Sequence, residues 1–497
     1  MIIGIDQGTT GTLGILMDYD GAIRKSVYLT HTQFHPQAGW VEHDPMEIWR
    51  NMERIARELA SNASGLGGRI EGLGLANQGE TVLAWNRTTS EPIGRAIVWQ
   101  DTRTQAWIDE ISADETLKEY VSKTTGLHLD SYFPAGKMRW ILNHVPGARE
   151  LSDRGELCFG TLDAWMIWKF TGGREFLTDA STAARTQLMR LSTLEYDPRL
   201  LELFAVNATA LPRIVPCDTR IEISNLGPGL AGVPISASLV DQPAAVFGHA
   251  CLEPGQSKAT YGTGCFVYLN AGARPPPVVA GLLSTLAWSR KEGRVYALDG
   301  GVIAVASIIT WLKDQIGILD GAKQIDDLLA AHTPKGEVIC VTAHAGLGSP
   351  VWDRNARAAW LGMDLSTRRN DLIYSVLEGI AFRVSQVIEA MDAASESAIS
   401  ALRADGGLSQ CRTLMQLQAN LLGRPVEGVA DAEATALGVA AFAARSLGIW
   451  ASDEEVARNV RVQETFDPQW DDGRRRERLE RLQAVQQVIR ADTRPTG

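Results

Sequence analysis

Cysteine is scarce in this sequence: six in 497 residues, at 158, 217, 251, 265, 340 and 411, with no CxxC pair among them. That scatter suggests neither a zinc cage nor a disulfide framework and points to a reducing, cytoplasmic setting. The opening MIIGIDQGTT has no basic or apolar stretch of the kind that directs export. The longest apolar run, Val302 to Leu312, is too short to span a bilayer, so no membrane association is expected. Positive charge is also in short supply. Lys and Arg number 48 against 59 Asp and Glu, and the formal net charge of −11 argues against a general affinity for nucleic acid. Any phosphate has to be held by local geometry. The spacings GxxxxGK[ST], HExxH and GxSxG are all missing, which removes the usual supports for P-loop, zinc-peptidase and α/β-hydrolase chemistry.

What remains is an ordinary globular composition, 45% hydrophobic and 22% charged. A chain this long exceeds what one core serves, so two domains of roughly 250 residues are expected. The Pro/Gly-containing segment Cys251 to Gln256 is the best boundary, giving 1–250 and 251–497 with a cleft between them. Ile2 to Ile5, Leu13 to Asp18 and Ala22 to Thr30 read as a strand meander. A helix follows from Pro45, capped by Asp44, and Ile70 to Ala76 reads as a buried strand. The second half repeats this order. Ser257 to Tyr261, a GTG turn and Phe266 to Asn270 are followed by two strands between 281 and 299 and a helix from Gly301 to Asp314. A duplicated α/β architecture is the reading. Near the end, Arg474 to Ile489 reads as a helix with Leu479, Leu482, Val485 and Ile489 on one face and Arg474, Arg475, Arg476 and Arg478 outside it.

Two turns could carry chemistry. In Asp6-Gln7-Gly8-Thr9-Thr10-Gly11 the glycines allow a tight hairpin with converging N–H groups, the threonines add hydroxyl donors, and Asp6 offers a hard oxygen for Mg²⁺. Tyr261-Gly262-Thr263-Gly264-Cys265 repeats that logic in the other half, so the pair could grip a polyphosphate from both sides, which implies ATP. Asp405-Gly406-Gly407 ends a strand read as Ile399 to Ala404 and opens a helix from about Ser409, a place where an adenosine could lie against bare backbone. Asp241 follows the apolar stretch Val233 to Leu239. It is either a proton acceptor facing the cleft or the N-cap of a helix beginning near Pro243.

The motifs GWVEHDP (39–45), IVWQ (97–100), TGL (125–127), YFPAGKMRW (132–140), YGTGCF (261–266), GLG (346–348), WD (352–353) and RADGG (403–407) occur in an order that resembles the FGGY carbohydrate kinases over essentially the whole chain, in particular the branch acting on glycerol. The resemblance implies two actin-like, ribonuclease-H-like domains closing over ATP, Mg²⁺ and a small polyol, with no nucleic-acid or membrane partner and often a dimeric or tetrameric assembly. It implies Asp241 as catalytic base and, with Asp6, as the magnesium-associated carboxylates. Glu80, Trp99, Tyr132, Gln242 and Phe266 would form the polyol pocket, and Thr9, Thr10, Gly262, Thr263, Gly264, Gly406, Gly407 and Cys411 the nucleotide site.

Three positions depart from that family pattern. Where the relatives read NQRET this chain has Asn77-Gln78-Gly79-Glu80-Thr81, so an arginine that would fork onto the polyol is absent. Either the pocket is longer and takes a four- or five-carbon polyol or a ketose, or a neighbouring group fills the gap and glycerol remains the substrate. Leu13 stands where an arginine usually approaches the phosphates, and Cys411 where an asparagine approaches adenine. Taken together the three also admit a nucleotide- and polyol-binding sensor with weak turnover.

Overall fold

A computed structural model describes residues 1–497 except 228, 333–336, 430–432, 461 and 493–497. The meander forms as read. β1 (Ile2–Gln7) turns back antiparallel into β2 (Gly11–Met17), which pairs with β3 (Ile23–Thr30). Helix α1 (Pro45–Gly65) starts where its cap predicts, with Met46 N donating to Asp44 Oδ1 at 2.8 Å and proline in the first turn. Its buried face, including Ile48, Met52, Ile55 and Leu59, lies on β2. Gly14 makes that approach possible, because a Cβ there would sit 2.1 Å from Ile55 Cγ2. β4 (Gly72–Asn77) runs parallel to β1, and after a long insertion containing helix α2 (Pro134–His144), β5 (Pro234–Val240) runs parallel to β4. The first sheet therefore reads β5-β4-β1-β2-β3, extended at one edge by Ile221–Glu222. Every residue of β4 is buried, as expected of a strand covered on both faces. Helix α3 (Asp241–Gly248) leaves directly from the end of β5.

The second half rebuilds the same plan. β6 (Ser257–Tyr261) turns antiparallel into β7 (Cys265–Gly272), and β8 (Leu283–Arg290) and β9 (Gly293–Val302) extend the meander. After helix α4 (Arg369–Ala394), β10 (Leu402–Asp405) runs parallel to β6. After helix α5 (Arg412–Leu422), β11 (Val426–Val429) runs parallel to β10. The order β7-β6-β10-β11 matches β2-β1-β4-β5 strand for strand, which is the duplication inferred from the two turns.

Helix α6 (Ala434–Leu447), from the second half, lies on the first sheet. Cβ atoms at Gly4 and Gly74 would fall 2.2 Å from Ala436 O and 2.4 Å from Val439 O, and one at Gly438 would fall 1.9 Å from Ala244 O of α3. The small-residue sequence ATALGVAAFAA suits this backbone-to-backbone packing. One apolar cluster joins Ile15 and Leu239 of the first sheet, Phe247 of α3, Phe442 of α6, and Trp288 and Ala297 of the second sheet, so α3 and α6 are sandwiched between the halves.

Some boundaries differ from the sequence reading. The helix expected from Gly301 begins at Ala306, because Gly301 and Val302 still pair with Phe266 and Cys265 of β7. It ends in a π-helical turn at Leu312–Ile316. The strand expected at 399–404 is β10, and a 3₁₀ turn at Gly407–Gln410 precedes α5. The terminal helix α7 (Asp472–Asp492) buries Leu482 and packs Leu479 and Val485, as its pattern predicts. Arg478 is not outside the packed face. Its Nε donates to Oε1 of the buried Glu378 at 2.6 Å, and Nη2 completes a two-pronged pair. Arg478→Ala is expected to strand that carboxylate and lower stability by about 3–5 kcal/mol, read as a fall in melting temperature. All six cysteines are free and buried. No helix among the described residues is long and apolar enough to cross a membrane.

Candidate active site

Asp241 sits where β5 ends and α3 begins, with Val240 in the capping position, so Asp241 is the first helical residue and not the N-cap. The chain is pinned there by Val240 N, which donates to Ser181 Oγ at 3.0 Å, and Asp241 Oδ1 accepts from Gln242 N at 2.7 Å. Burial, reinforced by the charges of Glu80 and Asp6, raises the Asp241 carboxyl to about 7. Asp6 lies one residue before the end of β1. Burial alone raises its carboxyl to about 7, and Oδ1 is buried with no hydrogen-bond partner among the described residues. Asp6 and Glu80 thus lie near enough to Asp241 to raise its carboxyl, and Asp6 presents a buried oxygen that a cation could satisfy, although no three acidic, histidine or cysteine side chains among the described residues form a metal cage.

The first turn is held from several sides. Gly8 N donates to Gly11 O at 2.9 Å, and Gln33 Nε2 donates to Thr9 O at 2.7 Å while its Oε1 contacts His43 Nε2 at 2.8 Å. Gly11 is required, since a Cβ there would lie 2.7 Å from Leu29 O of the neighbouring strand. The Thr9 hydroxyl accepts from Trp99 Nε1 at 2.9 Å, tying the turn to the aromatic wall, and the exposed Thr10 hydroxyl lies 3.2 Å from that of Tyr28.

The second turn rests on the segment after β9. Ala306 N donates to Gly262 O at 3.1 Å and Val305 N to Thr263 O at 2.9 Å, which leaves the Thr263 side chain exposed. A Cβ on Gly264 would be 2.7 Å from Val302 O. Gly406, at φ +86°, abuts the same turn, with its missing Cβ 2.7 Å from Tyr261 O, whereas nothing lies within 4 Å of the corresponding point at Gly407. The DGG turn therefore opens a bare backbone surface beside the second hairpin. Cys411 is buried at the start of α5, with its thiol 3.6 Å from Asp326 Oδ1, and burial pushes that thiol up to about 12. Across the halves, Lys258 Nζ of β6 donates to Gln242 Oε1 at 2.5 Å and to Thr260 Oγ1 at 2.7 Å.

Three of the residues read as a polyol pocket, Glu80, Trp99 and Tyr132, lie together, with Glu80 and Tyr132 within reach of the Asp241 charge. The rings of Trp99 and Tyr132 meet edge to face at 5.6 Å, and Glu80 is buried beside them. Burial, then the charge of Glu80, hold the Tyr132 phenol well above its usual range, so it is a neutral hydrogen-bond donor. Phe266 of β7 is half-buried against Gly301, where a Cβ would be 3.3 Å from its ring.

Several residues in this cluster were not singled out from the sequence. Lys137 of α2 is fully buried and donates to the carbonyls of Tyr132 at 2.8 Å and Trp99 at 3.3 Å; burial lowers its amine to about 7. Arg185 Nε donates to Glu80 Oε1 at 2.6 Å, and its Nη2 pairs with Asp299 Oδ2 of β9 at 3.0 Å. The Tyr268 hydroxyl donates to that same Asp299 oxygen at 2.9 Å. Beside them, a Cβ on Gly79 would lie 2.4 Å from Val240 Cγ2 and 3.4 Å from Arg185 Cγ. The space next to Gly79 is closed by Val240 and by the stem of Arg185. A signal for Arg185 was present: it is a lone cation in the buried small-residue run TDASTAARTQ, and such a charge needs partners.

Comparisons with known proteins bear on this arrangement. The profile of the N-terminal domain of the FGGY family of carbohydrate kinases matches residues 1–248, and that of the C-terminal domain matches residues 257–447. The chain is 40% identical to the glycerol kinase of Bordetella parapertussis over 501 aligned positions, covering 100% of this chain and 98% of that protein. It is 42% identical to the glycerol kinase of Alkalilimnicola ehrlichii, covering 90% of each. Among solved structures, the glycerol kinase of Plasmodium falciparum with ADP superposes with a TM-score of 0.93 at 30% identity, covering 98% of each chain.

Proposed function

The chain belongs to the FGGY family of carbohydrate kinases, and we propose that it transfers the γ-phosphoryl group of ATP to a terminal hydroxyl of glycerol. The observation that carries this reading is Asp241: a carboxylate at the end of a central strand, beside Glu80 and the Trp99–Tyr132 wall, with the first Gly/Thr turn tied to that wall through Thr9. Glu80, Tyr132 and Gln242 offer polar groups to the vicinal hydroxyls, while Trp99 and Phe266 cover the C–H face and exclude water. Asp241 takes the proton of the attacking hydroxyl as its oxygen bonds to the γ-phosphorus. The bond from that phosphorus to the bridging oxygen breaks, and ADP leaves. Backbone N–H groups of the turns at Thr9–Thr10 and Gly262–Gly264 hold the phosphates, and the bare backbone at Gly406–Gly407 receives the adenosine. Because the Cys411 thiol faces Asp326, that residue contributes main chain only. Asp6 and Asp241 fit Mg²⁺, which would supply charge neutralisation on the phosphates.

Two assignments accompany this reading. The division at 1–250 and 251–497 follows the two sheets, with α6 crossing back onto the first. The six free, buried cysteines support a cytoplasmic location.

A coupled assay of ADP release with glycerol, erythritol and xylitol tests the function: glycerol is expected to be turned over, and no release with any of the three overturns the proposal. The base must be ionised to act. With its carboxyl near 7, kcat/KM is expected to rise as pH increases through about 7 and to be lost below it, not near the usual 3.8. A flat profile across that interval contradicts the assignment.

Glycerol is favoured over a longer acceptor because Val240 and Arg185 already close the space at Gly79. Restoring a side chain there is expected to harm. Gly79→Arg drives a Cβ against Val240, which is stiff at χ1 and adjoins Asp241, so kcat/KM for glycerol should fall about tenfold or more in steady-state assays.

A further inference from the structure

We infer that Arg185 is a positioning residue for the acceptor site: a buried fork, threaded through the space left by Gly79, that clamps Glu80 of the first half to Asp299 of the second and so sets both the pocket and its specificity. This rests on the phosphotransfer reading above.

Three observations carry it. The guanidinium is almost fully buried, with its side chain 3% exposed, so it is not a surface ion pair of little consequence. It bonds two carboxylates from opposite halves through separate nitrogens, at 2.6 and 3.0 Å, and the second carboxylate is held again by Tyr268. Its Nη1 is buried and without a partner among the described residues, which is costly unless the position serves something beyond stability. Lysine cannot reproduce the fork, because an ammonium is a single point and not a planar array of donors.

Glu80 is held by Arg185 where it meets the acceptor's hydroxyls, and Asp299 of β9 holds another nitrogen of the same guanidinium, so the second half buttresses the pocket. Arg185 also offsets the charge of Glu80.

The test is steady-state kinetics on full-length protein with MgATP and glycerol, erythritol or xylitol, for Arg185→Lys, Arg185→Gln and Asp299→Asn, with melting temperatures alongside. Arg185→Lys is expected to raise the KM for glycerol by about 10- to 150-fold and to leave the KM for ATP within about twofold. Arg185→Gln is expected to do the same. Should Arg185→Gln fail to fold, Asp299→Asn, which leaves the Glu80 pair intact, is expected to raise the glycerol KM while leaving that for ATP within about twofold. Lowered melting temperatures with both KM values unchanged overturn the inference, as does an equal rise in both KM values. If the wild-type chain phosphorylates none of the three polyols, the phosphotransfer reading fails instead; an active wild type with indifferent Arg185 variants sinks only this inference.

Discussion

Asp241→Asn is expected to lower kcat by ~10²- to 10⁴-fold while leaving ATP affinity nearly unchanged. Asparagine keeps the shape and the contact to Gln242 N, so α3 should still start at the same residue. What it loses is the ability to take a proton. The residual rate then comes from the phosphate-holding turns and the desolvated pocket, neither of which depends on residue 241. Single-turnover kinetics with direct titration of ATP separate the two effects. A variant with full turnover would remove Asp241 from the reaction, and one that also loses binding of metal-free ATP would make it a structural residue of the cleft.

The second large effect is expected at Asp6, with opposite signs in two measurements. Its carboxyl is raised from 3.8 to about 7 by burial, so the folded protein holds a proton that the unfolded chain has already released. The linkage sign follows: stability declines as pH rises from about 4 to about 7, and above that window the folded protein bears the full cost of a buried charge. Asp6→Asn removes that cost. At neutral to alkaline pH it should stabilise the fold by an amount on the order of 1–3 kcal/mol, seen as a higher melting temperature. The same change removes the negative charge that suits Mg²⁺ and leaves a neutral amide in its place, so turnover should fall by about two orders of magnitude or more, with a higher Mg²⁺ requirement. A variant neither more stable nor less active would contradict both the electrostatics and the role. The opposition is the mark of a residue held at the expense of stability because the reaction needs it.

Much of this was legible in the residues. The two Gly/Thr turns announced the duplication because a tight hairpin permits few residue types, and both turns close as that restriction requires. The α1 cap is similarly local, an aspartate followed by a proline. Asp241 could be singled out as a candidate because a carboxylate at the end of an apolar run is either a cleft-facing acceptor or a helix cap, and the capping alternative was settled only by the backbone at Val240. What escaped depended on distance along the chain. Arg185 and Glu80 lie 105 positions apart, and no periodicity links them. The run Val302 to Leu312 carries no internal stop signal, so the end of β9 is decided by its pairing with Cys265, not by its own composition. Arg478 likewise had the look of a solvated cation until the partner it meets, Glu378, came from another helix.

The bare contact between Gly438 and Ala244 has a mechanical consequence. Two helices that touch main chain to main chain, locked beside that point by the Phe247 and Phe442 rings meeting edge to face at 4.8 Å, leave no slack for an added side chain. A methyl group at 438 would act as a wedge in that joint, pushing α6 off α3 while each sheet stayed whole.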